Sequence, residues 1–313
     1  MYILNTMNPY SKYHLVLSEV RVIMFIYSYC FYYFEHVHFI SFFLIIKHTF
    51  SGINVRTLSH VSMAACFMIS VANMIQLIRR MTMDRLGLLC RNIYENNKMT
   101  QRELAAAMDL SLGTCNHLVK DGLAQELFTF DPAEGTYSLL KGGVDLLRKY
   151  RMDSAVILAA GFGSRFVPLT FETPKGLLEV YGERMIERQI KQLHEAGVTD
   201  ITIVVGYLKE KFEYLIDKFG VKLLYNPEYH NKNTLTTLYR ARECFIGRNT
   251  YLLSSDNWMR NNMYHTYECG AWYSSVFMKG ETSEWCLETS KKGLLTGVKV
   301  GGADSWVMYG PVF

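Results

Sequence analysis

The run Ser154-Ala-Val-Ile-Leu158-Ala159-Ala160 leads directly into Gly161-Phe-Gly163-Ser-Arg165-Phe-Val-Pro168-Leu-Thr170, and Pro174-Lys175 follows. Few local patterns constrain a chain more. An uninterrupted apolar run of this length, bounded by a glycine turn, is expected to be a strand buried on both faces. Gly161 and Gly163 allow the backbone to approach an anion closely, with exposed N–H groups forming the cradle. Arg165 and Lys175 are spaced to neutralise a polyphosphate and the charge that develops as a phosphate bond exchanges. The string is not a dinucleotide fingerprint, because Phe166 stands at the third glycine position. It is not a Walker loop either, because no Gly-Lys-Ser/Thr follows.

Downstream, strand and helix patterns alternate. Helical spacing covers Met185 to Ala196, Leu208 to Phe219 and Thr234 to Cys244. Strand-like runs cover Asp200 to Val205, Val221 to Tyr225 and Thr250 to Ser254. This order predicts an α/β domain over 152–313, with a mainly parallel sheet and helices on both faces. Such sheets take ligands beyond the carboxyl ends of their strands.

Residues 83–150 predict a small helical module. A helix is expected from Asp84 to Tyr94. Thr100 and Glu103 form a capping-box pair that opens a second, and Ser111 to Leu123 gives a third. Two short strands, Leu127 to Phe130 and Thr136 to Leu140, flank the turn at Asp131-Pro-Ala-Glu-Gly135. A last helix runs from Gly142 to Tyr150. The pattern resembles a winged helix-turn-helix over residues 81–151. Its recognition helix offers Thr114, Asn116, His117 and Lys120. Asp84 to Arg151 holds as many acidic as basic residues, so DNA affinity is expected to be low.

Residues 1–80 have a different character. Val20 to Ile46 and Val61 to Ile78 are almost wholly apolar, of a length suited to spanning a bilayer, although Glu35, His36 and His38 interrupt the first. The segment is read either as a membrane anchor or as sequence outside the native protein, with Met81 or Met83 a natural start. Its six Lys/Arg and two acids carry the whole +4 net charge. The remainder is neutral and gives no compositional argument for a nucleic-acid surface. Seven cysteines without a C-x-x-C pair suggest a reducing, cytoplasmic setting. With a genuine anchor, the catalytic domain would face the cytoplasm.

Three further signals carry chemistry. Tyr251-Leu-Leu-Ser-Ser-Asp256 ends a strand in a carboxylate at the ligand-binding edge, where a hard cation needs oxygen. Asn231-Lys-Asn233-Thr opens a helix in polar residues. All four tryptophans, at 258, 272, 285 and 306, fall in the last sixty residues. A quaternary ammonium donates no hydrogen bond, so aromatic faces and carboxylates hold it. Trp272, Glu284 and Trp285 supply both.

The glycine string, with Phe171-Glu-Thr173 one residue longer than usual before Pro174-Lys175, resembles the signature of the sugar-1-phosphate and phosphocholine nucleotidyltransferases. The resemblance covers nearly all of 153–313. It implies a Rossmann-like nucleotidyltransferase fold, Mg2+ dependence and pyrophosphate release. It also implies nucleotide binding at Leu158, Ala159, Ala160, Gly161, Gly163 and Asn233, with Arg165 and Lys175 catalytic and Asp256 holding the metal. Glu284-Trp285 followed by Gly293-Leu-Leu-Thr-Gly297-Val is similar to the phosphocholine branch. CTP, or another NTP, and a phosphorylated small molecule are the implied partners, with Trp285, Glu284 and Trp272 at the acceptor. The alternatives are a sugar-1-phosphate acceptor, an aminophosphonate acceptor, or a nucleotide-sensing DNA-binding regulator. The family also uses a second acidic metal ligand on a late strand. The chain is therefore expected to stop within the domain, since Asp304 matches that role poorly.

Overall fold

The structure, a computed structural model, describes residues 83–230, 234–289 and 295–312. The apolar stretches of 1–80 and Asn233 lie outside the described residues. Among the described residues, no helix is long and apolar enough to cross a membrane.

Four helices and three strands build the first part. Helix α1 (Arg85–Asn96) starts at Asp84, whose carboxylate accepts from the Leu86 and Gly87 amides. Strand β1 (Met99–Thr100) leads into α2 (Gln101–Ala107). There the Thr100 amide donates to the Glu103 carboxylate at 2.7 Å, and the Glu103 amide donates back to the Thr100 hydroxyl. This reciprocal cap satisfies two otherwise orphaned donors. Helix α3 (Leu112–Ala124) is capped by Ser111. Strands β2 (Phe128–Asp131) and β3 (Thr136–Leu139) pair antiparallel as the wing, and α4 (Lys141–Arg148) closes the part. The wing has a third strand that the sequence reading missed, because β1 pairs with β3 over two residues only. So short a strand has no periodicity to read.

The second part holds a six-stranded sheet ordered β10-β11-β9-β4-β7-β8. Strands β4 (Ser154–Ala159), β7 (Ile201–Val205), β8 (Lys222–Tyr225) and β9 (Thr250–Ser254) run parallel. Alternate side chains of β4 serve opposite layers. Ala155, Ile157 and Ala159 join the core beneath α5 (Met185–Glu195), with Ile186, Ile190 and Leu193. Val156 faces Ala241 of α7 (Thr234–Phe245) on the other side. Each fully buried Ile, Leu or Val side chain here contributes roughly 1.5–3 kcal/mol of transfer free energy.

Two expectations change. The stretch Leu208 to Phe219 is not one helix. It is a 3-10 turn, Lys209–Phe212, followed by the short α6 (Tyr214–Phe219), and Leu208 takes a left-handed backbone at φ 49°. The sheet also gains a long antiparallel hairpin, β10 (Tyr273–Thr289) and β11 (Leu295–Val312), with β11 meeting β9. Repeated register shifts along this hairpin break the simple two-residue alternation by which a strand is recognised. A small hairpin, β5 (Glu179–Val180) with β6 (Glu183–Arg184), sits apart from the main sheet.

The two parts share a seam. The Met152 amide donates to Thr266, the Glu268 amide to Tyr150, and the Asp84 amide to Cys269, at 2.8–2.9 Å. Cys269 is buried in the core of the helical part. Arg91 of α1 reaches Glu268 at 2.9 Å, both side chains under a tenth exposed. The Tyr251 hydroxyl of β9 donates to the same carboxylate at 2.6 Å.

Candidate active site

Strand β4 lies centrally, with β7 on one side and β9 on the other. The chain adds β7 and β8 on one side of β4 and then returns to add β9 on the other, so the strand order reverses at β4 and a crevice opens beyond the carboxyl ends of β4 and β9. The glycine loop leaves β4 there, and Asp256 follows β9 there.

The loop is held by its own backbone. Leu158 accepts from the Ser255 amide at 3.1 Å, and Ala160 accepts from the Tyr207 amide at 3.2 Å. These contacts tie the end of β4, with Ala159 buried between them, to the segments after β9 and β7. A side chain at Gly161 would meet nothing within 4 Å, so its backbone faces open space. Gly163 differs. Its φ of +70° favours glycine, and a Cβ there would stand 3.1 Å from Thr170 and 3.2 Å from Lys175. The buried Thr170 hydroxyl donates to the Gly163 carbonyl at 3.1 Å. Phe162 packs edge-on to Tyr207, with ring centroids 4.7 Å apart, and the Tyr207 hydroxyl donates to the Phe171 carbonyl at 2.9 Å.

Four of the expected site residues come together in pairs. The Lys175 ammonium donates to the Asp256 carboxylate, each side chain mostly buried. The Arg165 guanidinium lies 3.4 Å from Glu284 on β10. The carboxylate expected at the acceptor thus meets the glycine loop, to which the hairpin reaches. Trp285 follows on β10, 40% exposed. Trp272 is placed otherwise, packed against the core under α5 with its ring 6.3 Å from that of Tyr251.

Asp256 suits a magnesium site of the open kind. Mg2+ commonly takes one or two carboxylates and completes its shell with substrate phosphates and water. No group of three or more His, Cys, Asp or Glu gathers among the described residues, so any metal here would rely on the nucleotide for most of its ligands.

Sequence reasoning passed over several positions that shape the site. Gly176 is buried, and a Cβ there would stand 2.7 Å from Ser255, so its lack of a side chain lets the Lys175 turn lie on the Asp256 segment. Asn226 is fully buried and donates to Thr237 of α7 at 3.0 Å. Gln189 of α5 donates to the carbonyls of Ser254 and Asn257 on either side of Asp256. The Arg188 guanidinium stacks 4.8 Å from the Trp258 ring. These are contacts between distant segments and leave no local pattern.

Residues 154–269 match the nucleotidyl transferase family, and residues 90–121 match the winged helix-turn-helix DNA-binding family. The choline-phosphate cytidylyltransferase of Streptococcus pneumoniae is 43% identical over 133 residues, which is 42% of this chain and 57% of that protein. The 2-aminoethylphosphonate cytidylyltransferase of Lancefieldella rimae is 35% identical over 159 residues, covering 50% of this chain and 65% of that protein. The chain therefore spans between half and two thirds of the length of these relatives. A solved structure of the CTP:phosphocholine cytidylyltransferase from Streptococcus pneumoniae aligns with 38% identity and a TM-score of 0.49, over 52% of this chain and 70% of that one.

Proposed function

We propose that this chain, which carries a nucleotidyl transferase domain across residues 154–269, transfers a cytidylyl group from CTP to phosphocholine and releases pyrophosphate. The carrying observation is the meeting of Lys175 and Asp256 beside the glycine loop, at the crevice where the strand order reverses. The likeness to choline-phosphate cytidylyltransferase supports the choice of nucleotide and acceptor.

No covalent enzyme intermediate is needed. A phosphate oxygen of the acceptor forms a bond to the α-phosphorus of CTP, and the bond from that phosphorus to the bridging oxygen of the β-phosphate breaks. The electron pair leaves with pyrophosphate. The chain contributes positioning and charge neutralisation. Gly161 and Gly163 bring backbone N–H groups to the phosphates. Lys175 and Arg165 neutralise the charge that builds up on the departing group. Trp285, with Glu284 beside it, offers the trimethylammonium head an aromatic face and a carboxylate. Asp256 would hold Mg2+, which when bound supplies charge to draw the triphosphate into line. Asn233 is assigned to the nucleotide as well. Trp272 serves the acceptor only indirectly in this reading, through the core on which the start of the hairpin rests.

The helical part adds little positive charge. Lys120 is exposed on α3, but the wing carries Asp131 and Glu134, and Lys98 is paired with Glu134. The reading accordingly places the chemistry in the transferase domain.

The test is pyrophosphate release from CTP and Mg2+ with phosphocholine, run beside 2-aminoethylphosphonate, sugar-1-phosphates and UTP. Release that requires CTP and phosphocholine supports the reading. Release with another acceptor keeps the reaction and discards the aromatic assignment. No release with any pair rejects the reading.

A further inference from the structure

We infer that Phe166 is a positioning residue that keeps the Lys175 ammonium at the reacting phosphate when Asp256 turns to the metal. This inference rests on the transferase reading above.

The Lys175 ammonium lies 4.6 Å from the centroid of the Phe166 ring while it is also bonded to Asp256. The ring does not sit there by chance of a mobile loop. Phe166 closes the 3-10 turn Ser164–Phe166, and its amide donates to the Gly163 carbonyl at 2.9 Å. That carbonyl is also held by Thr170. The Lys175 stem lies against Gly163, which has no side chain to displace it. The lysine stem and the turn that carries the ring thus both lie at Gly163.

The chemistry makes the ring useful. A carboxylate that takes up a divalent cation can no longer serve as the full counter-ion of a neighbouring ammonium. Without another anchor, the flexible lysine side chain would lose its place at that moment. An aromatic face attracts the cation through its quadrupole and carries no charge that a metal would compete for. Donors pointing away from the ring then remain available to phosphate oxygens. A leucine of similar bulk fills the space but offers no such face.

The experiment uses the full chain and observes the Lys175 ε-methylene by NMR, assigned by its absence in Lys175→Arg. A proton lying over the ring is shifted upfield. The shift is expected in the wild type and in Asp256→Asn, absent in Phe166→Leu, and restored in Phe166→Tyr. Its loss in Asp256→Asn, or its persistence in Phe166→Leu, overturns the inference. In turnover, Phe166→Leu is expected to lower kcat about tenfold with KM for CTP near wild type, and Phe166→Tyr to recover it. Wild-type kcat in Phe166→Leu also overturns it. The NMR measurement needs no substrate, so a wild type that turns nothing over rejects the transferase reading separately.

Discussion

Lys175 and Asp256, 81 residues apart in the chain, meet in a charge-assisted hydrogen bond at the mouth of the sheet. Both side chains are partly buried, 20% and 28% exposed. Asp256→Asn is expected to reduce pyrophosphate release by about 10²-fold or more, and Lys175→Ala by a similar factor. Circular dichroism should show the fold retained in both. Turnover within a few-fold of wild type in either variant would refute the assignment.

Gly176 controls the same meeting. A methyl group there would stand 2.7 Å from the Ser255 side chain and 3.1 Å from its carbonyl. Gly176→Ala should therefore push the Lys175 turn off the Asp256 segment, at a stability cost of about 1–3 kcal/mol. Turnover should fall much further than that loss of folded protein explains. The check is kcat measured well below the midpoint of thermal unfolding.

Trp285 stands 40% exposed beside Glu284. Trp285→Ala should raise KM for phosphocholine by roughly threefold to thirtyfold, the range of a cation–π contact, while KM for CTP stays near wild type. Steady-state kinetics with each substrate varied in turn will decide. Equal changes in both constants would place Trp285 in the general structure of the hairpin instead.

Arg91 and Glu268 form a buried pair across the seam between the two parts, and Tyr251 completes it. Removing one partner leaves a buried charge uncompensated. Arg91→Met should lower stability by about 3–5 kcal/mol, whereas replacing both members with apolar residues should recover much of the loss. Urea denaturation of the single and double variants measures the difference.

Glu187 of α5 sets part of the acid limit. Burial pushes its carboxyl up, but bonds from Lys218 and Tyr214 and the charge of Arg184 outweigh that and hold it below its usual 4.5. A folded-state value below the unfolded one adds stability above the unfolded value, and that stability is lost as pH falls through the folded value. Thermal midpoints should fall steeply below about pH 4.5, and Glu187→Gln should flatten that limb. Asp200, Glu183 and Asp84 are lowered too and share the slope, so the variant should soften it without abolishing it.

Much of this protein is written locally in its sequence. The run from Ser154 to Ala160 is apolar at every position after its serine because its strand is covered on both faces, and the glycine turn follows because Gly163 takes a left-handed backbone at φ +70°. The capping pair Thr100 and Glu103, and the cap at Ser111, mark helix starts within four residues of chain. The parallel strands, and the helices that follow β4 and β8, were legible for the same reason, since periodicity and caps act between near neighbours.

Only the tertiary structure decided what crosses the chain. The hairpin of β10 and β11 bends through successive register shifts, so its pattern carries no clean period. Glu284, expected at the acceptor, also meets Arg165 of the glycine loop, 119 residues away. Trp272 and Trp285 looked alike, yet one joins the core and the other stands half open on a strand. Glu268 showed no signal at all, because its partner Arg91 lies 177 residues earlier. Burial and charge pairing depend on which segments the fold brings within a few ångströms. No spacing along the chain encodes that distance until the sheet has formed.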